Sequence, residues 1–158
     1  MKKTILLAVA IAIFGCLLFA GCSNPGTLIE INHNQYSTQN ESIETVRKNL
    51  LALADENGSP YFKSVTITEN TGIFYNLRTV TLTTGDNFLA TDIEITMPDT
   101  ITKYQNMTID GNVATAQLSA NTDYSIMSES NNYGIIIGLI SFLTVAMAVF
   151  VIIAKVKS

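Results

Sequence analysis

Two uncharged apolar runs bracket this chain, and they limit what it can become more than any other feature. The first is Ile5–Ala20, directly after Met1-Lys2-Lys3-Thr4; the second is Gly134–Ala154, 21 residues followed by Lys155 and Lys157. A core built from the intervening stretch of about 110 residues is too small to cover both. That stretch is polar and acidic. It holds Arg47, Lys48, Lys63, Arg78 and Lys103 against all 13 acidic residues, a net of −8, whereas the whole chain carries −4. The expected layout is therefore one modest domain between two membrane-directed ends.

A basic start followed by a short apolar run reads as a secretory signal, which takes no part in the fold. It ends Leu18-Phe19-Ala20-Gly21-Cys22, and Ser23-Asn24-Pro25-Gly26 follow. Small residues before a cysteine, then a polar, turn-rich stretch, resemble a bacterial lipobox, with Phe19 where that pattern usually has Leu. The resemblance implies a signal peptide over 1–21 and acylation of the Cys22 thiol. Cys16, in Ile13-Phe14-Gly15-Cys16, is a rival site, but cleavage there would leave an apolar mature start. If Cys22 is the anchor, Cys16 leaves with the signal and the mature chain has neither free thiol nor disulfide.

The second run reads as a transmembrane helix over 134–154, long enough at roughly 1.5 Å per residue for the ~30 Å hydrocarbon core. Tyr133 stands where an interfacial aromatic belongs, and Lys155 and Lys157 mark a cytoplasmic tail, 155–158. By the positive-inside rule residues 23–132 then lie outside the cell membrane, and Lys2 and Lys3 give the same orientation. Gly134, Gly138 and Ser141, spaced four and three apart, offer a seam along which a second helix could pack, and so a homo-oligomer.

Between the ends, 22–27 reads as a lipidated tether, 28–127 as the domain and 128–133 as a stalk. Leu28 to Asn32 reads as a first strand. Ile43, Val46, Leu50 and Leu53 recur at three- and four-residue steps, which predicts one amphipathic helix of about fifteen residues, capped by Asn40 or Ser42 and stopped by Asn57-Gly58 and Pro60. From Phe62 the period changes to two. Val65 and Ile67, Val80 and Leu82, and Ile93, Ile95 and Met97 alternate with polar residues, with turns at Asn70-Thr71-Gly72 and Thr84-Gly85-Asp86-Asn87. Asp110-Gly111 between two further runs predicts a tight hairpin, and a last short strand falls at Tyr124 to Met127. The fold class expected is α+β: one antiparallel sheet of five to seven strands covered by the single helix, followed by the transmembrane helix.

A sheet under one helix either packs dry or leaves an apolar cleft, and Tyr61, Phe62, Phe74, Tyr75, Phe88 and Tyr104 are the aromatics available to line one. Catalytic chemistry is hard to find. His33 is the single histidine, so any triad would have to use it. No metal-ligand spacing, phosphate loop or dinucleotide fingerprint is present, so neither an enzyme nor a cofactor is expected. The net of −8 argues against nucleic acid and against electrostatic docking on anionic lipid.

The stretch Ile93-Glu94-Ile95-Thr96-Met97-Pro98-Asp99-Thr100-Ile101-Thr102, then Ile109-Asp110-Gly111-Asn112 and the strand to Leu118, resembles the bacterial lipoproteins of the mycobacterial LppM type. Those proteins share a lipobox, an extracytoplasmic α/β domain and a C-terminal membrane helix. Here Asp99 replaces a glycine of that pattern and Ala116 falls where a tryptophan is expected. The resemblance implies a domain that binds a lipid or glycolipid, with no binding residue carried over. The functional expectation is a membrane-anchored lipoprotein whose outer domain binds a lipid or other apolar ligand. The alternative is a scaffold that recruits a partner through a sheet edge or the terminal helix.

Overall fold

The computed structural model describes residues 26–72, 74–86, 91–131 and 133–157. Strand β1 (Leu28–Ile31) turns into β2 (Asn34–Ser37) through Asn32 and His33, whose φ of 50° and 65° are the two positive values that a type I′ turn requires. Helix α1 (Ile43–Leu51) follows, with the Ser42 hydroxyl accepting the Thr45 N–H at 3.1 Å, Glu44 in the first turn and Lys48 in the last. Next come β3 (Phe62–Thr71), β4 (Tyr75–Thr84), β5 (Thr91–Thr96), β6 (Ile101–Gln105), β7 (Thr108–Asp110), β8 (Val113–Leu118) and β9 (Asp123–Asn131). The predicted Asp110-Gly111 hairpin joins β7 to β8, centred one residue later on Gly111-Asn112, with Gly111 supplying a φ of 62°.

These strands make two sheets. The first runs β2-β1-β5-β8-β7 and the second β3-β4-β9-β6. The expectation of one sheet of five to seven strands covered by a helix is thus corrected to nine strands, among the described residues, in two sheets. Alternation reveals that a strand has one buried face; it does not reveal which sheet the strand joins. The helix is also shorter than its pattern suggested. Nine residues span about 14 Å, against about 33 Å for a ten-residue strand, so α1 cannot cover a sheet.

Instead α1 closes a seam. It packs on β2 and β3, which are the edge strands on one side of the two sheets. The opposite edges, β6 and β7, are consecutive in sequence and lie in different sheets. The chain crosses between them at Asn106, which has a φ of 58° and whose amide donates to the Asp123 carbonyl at 2.7 Å, and at the buried Met107. One core results. Ile29, Ile31, Ile93, Ile95 and Leu118 enter it from the first sheet, Val65, Val80, Leu82 and Ile126 from the second, and Val46 and Leu50 from α1. Each such side chain, fully buried, contributes on the order of 1.5–3 kcal/mol.

The boundaries read from sequence shift at both ends of this unit. Thr27, assigned to the tether, is buried, and 128–131, assigned to a stalk, continue β9 with Ser128 fully buried. The strands and α1 belong to one compact unit and the terminal helix α2 (Tyr133–Lys157) to another. The expected transmembrane helix is corrected as well: among the described residues, no helix is long and apolar enough to cross a membrane.

Candidate functional site

The aromatics offered as a cleft lining are not brought together. Phe62 is buried in the core, Tyr61 packs half-buried against it, Phe74 and Tyr75 are exposed side by side at the β3–β4 turn, and Tyr104 is exposed on β6; Phe88 lies outside the described residues. The contact of α1 with the sheets is filled by Val46 and Leu50, both at 0 % exposure. His33 serves the β1–β2 turn. Among the described residues no group of three or more His, Cys, Asp or Glu is placed to hold a metal ion.

A shallow hollow of about 620 Å³ lies on the outer face of the first sheet, lined in part by Glu30, His33, Asp92, Glu94, Thr115 and Gln117. Glu30 sits directly opposite Glu94 across β1 and β5, and the Gln35 amide donates to Glu30 at 3.0 Å. Facing carboxylates of this kind repel each other and favour polar or cationic neighbours over acyl chains.

The end of the sandwich where the chain enters is built differently. Gly26 runs so close to the Thr38–Gln39 backbone that a Cβ there would come within 2.2 Å of the Gln39 nitrogen. Thr27 is then locked in place: its N–H donates to the Thr38 hydroxyl at 2.8 Å and its carbonyl accepts the Thr38 N–H at 3.0 Å. The Thr38 hydroxyl donates in turn to Glu69 at 2.8 Å. Glu69 lies 4.0 Å from the Nε of Arg78, whose Nη1 donates to Asp99 at 2.8 Å. The Arg78 side chain is 4 % exposed, so its charge is held inside the protein by these two carboxylates.

The chain leaves from the same end. Thr83, at the end of β4, donates to Asp123, at the start of β9, at 2.7 Å, so the two neighbouring strands run in opposite directions. The start of β4, Tyr75, therefore lies by the last residues of β9, and Ser128 is paired with Ile101, two residues from Asp99. Entry at Thr27, exit at Asn131 and the β3–β4 hairpin tip share one end of the sandwich.

No family model, curated protein or solved structure matches this chain.

Of the residues singled out in the sequence, Cys22 lies outside the described residues. Gly134, Gly138 and Ser141 all fall on α2, with Ser141 exposed and Gly138 half-buried, at the helical spacing a packing seam needs. The Arg78 network was not singled out, and Phe74 and Tyr75 were named only as aromatics for a cleft. Arg78 carried a usable signal, because it continues the inward series of Val80 and Leu82 at a step of two.

Proposed function

We propose that the chain is a membrane-anchored lipoprotein, acylated on Cys22, whose outer domain is a non-catalytic binding module held at the outer face of the cell membrane, with a lipid or other apolar molecule as its ligand. The observation that carries this reading is the shared end of entry and exit. Cys22 precedes the docked Thr27 by five residues, a reach of at most about 18 Å, and the apolar helix α2 begins two residues, about 7 Å, after β9. Both attachments thus draw on the same end of the sandwich, so they act together without straining the domain. Helix α2 is the second attachment to lipid. Phe142, Leu143, Met147 and Phe150 are all exposed on it, a surface that apolar surroundings suit and water does not. The resemblance to LppM-like lipoproteins points the same way. Since the core is filled, the ligand is met at the surface and not in a cleft under α1.

The test is metabolic labelling with an alkyne-tagged fatty acid in a lipoprotein-processing bacterium, joined to protease treatment of spheroplasts. Label on the native chain, its loss in Cys22→Ala, and digestion of the outer domain from outside are the expected results. An unlabelled chain, or a domain untouched until the cells are lysed, would overturn the proposal. The scaffold reading keeps one observation in its favour: Tyr104 is 61 % exposed on β6, an edge strand. A partner crosslinked to the native chain and lost in Tyr104→Ala would favour it.

A further inference from the structure

We propose that the tip of the β3–β4 hairpin, at Phe74 and Tyr75, is a further membrane contact that seats its aromatic side chains in the interfacial layer of the bilayer holding the chain; this rests on the membrane-anchored reading above. The Gly72 N–H donates to the Tyr75 carbonyl at 2.8 Å, and a Cβ at Gly72 would lie 2.7 Å from that oxygen, so a glycine is needed for the strands to close this tightly. The two residues between them are Ile73 and Phe74. Tight hairpins ordinarily use Asn, Asp or Gly there, residues that relieve the turn. An aliphatic–aromatic pair forgoes that relief, and Phe74 stands outside the core.

Exposure agrees with this. Phe74 is 60 % and Tyr75 47 % exposed, whereas Phe62 and Tyr124 in the same unit are at 2 % and 3 %. Position selects the occupant. The tip stands at the end of the sandwich from which both attachments leave, within the reach that the short tethers allow. Its chemistry fits the same occupant, because Gly72 to Asn76 carries no charge and the charged residues that follow along the two strands, Glu69 and Arg78, face each other. An acidic domain gains nothing from anionic headgroups, but amphipathic rings favour the headgroup level of any bilayer.

The chain has no tryptophan, so one introduced residue reports alone. Full-length Phe74→Trp, with Tyr75→Trp as a second reporter should the first fold poorly, is reconstituted into phosphatidylcholine vesicles with or without dibrominated acyl chains; Tyr104→Trp is the control. The tip reporter is expected to emit at shorter wavelength than the control and to lose more than half its emission to the brominated lipid, while the control responds only to aqueous iodide. A protein that floats with the vesicles but whose tip tryptophan is quenched by iodide and not by bromine overturns the tip proposal alone. A tip reporter shielded from both quenchers overturns it in favour of a protein partner. A chain that fails to float with the vesicles overturns the anchored reading and the tip proposal together.

Discussion

The two ends of the sandwich are held by opposite means. At the end where the chain enters and leaves, a buried arginine is caught between Glu69 and Asp99, and Thr27 and Thr38 are bonded into the same cluster. At the far end the closures are neutral or exposed. The Gly85 N–H donates to Tyr61 at 2.9 Å and Asn121 N–H to Gly85 at 3.0 Å, while Lys63 reaches Asp86 at 2.6 Å in water, with side chains 46 % and 70 % exposed. Buried polar groups also collect at the first end. Arg78 Nε, Asn76 Oδ1 and Ser128 Oγ are there, each without a hydrogen bond. A buried ion pair gives less net stability than its distance suggests, because desolvation offsets most of the attraction, but it fixes geometry sharply. The difference teaches that charge has been placed where it fixes orientation: at the end where the chain enters, leaves and turns from β3 into β4.

The largest expected effect follows from that placement. Arg78→Met leaves two partly buried carboxylates facing each other without a cation, which should cost roughly 3 kcal/mol in thermal or urea unfolding of the full-length chain in detergent. Adding Glu69→Gln and Asp99→Asn to Arg78→Met should recover a large part of the loss, since the unpaired charges are what destabilise the single variant. A single variant as stable as the native chain, or a triple variant no better than the single, would break the contrast between the ends.

Arg78 also marks how far the sequence could be read. Its inward position was legible from the step of two it shares with Val80 and Leu82, and so were most core residues, because each strand buries one face. The division into two sheets was not legible, since Ile93–Ile95 and Val80–Leu82 alternate identically while lying in different sheets. The α1 stripe pointed inward correctly at Val46 and Leu50, yet the pattern continued past Leu51 through Leu53, which packs beside the core after the helix has ended. The β3–β4 turn is legible but misplaced: turn chemistry points to Asn70-Thr71-Gly72, whereas Asn70 pairs with Leu77 and Thr71 with Asn76, so the strand runs on past the residues that looked like its turn. The charged cluster was invisible for a simpler reason: Thr27, Glu69, Arg78 and Asp99 meet only through tertiary contacts.

A smaller effect is expected at the entry itself. Gly26→Ala places a methyl group where the Gln39 backbone already stands, so either the 38–39 turn or the Thr27–Thr38 bonding must give way. Overpacking of this kind costs about 1–3 kcal/mol. Hydrogen exchange should localise the change, with the amides of Thr27 and Thr38 losing protection while those of Asn121 and Gly85 at the far end keep theirs. Loss of protection spread evenly over both ends would mean that the two closures are not independent.

The smallest effect belongs to the exposed pair at the far end, and its sign with pH is fixed. The hydrogen bond from Lys63, with its charge, holds the Asp86 carboxyl below the ordinary carboxylate range, so the folded protein binds this proton less readily than the unfolded chain does. The pair's contribution is therefore complete above the ordinary aspartate value and fades as the pH falls through the lower, folded one. Lys63→Gln should reduce stability slightly at neutral pH, and the two proteins should converge once acid has protonated Asp86. Raised salt should shrink the neutral-pH difference as well, because water and ions screen an exposed pair, whereas the loss in Arg78→Met should hardly change. A salt dependence of equal size in both variants would place Arg78 in contact with solvent and remove the distinction between the two ends.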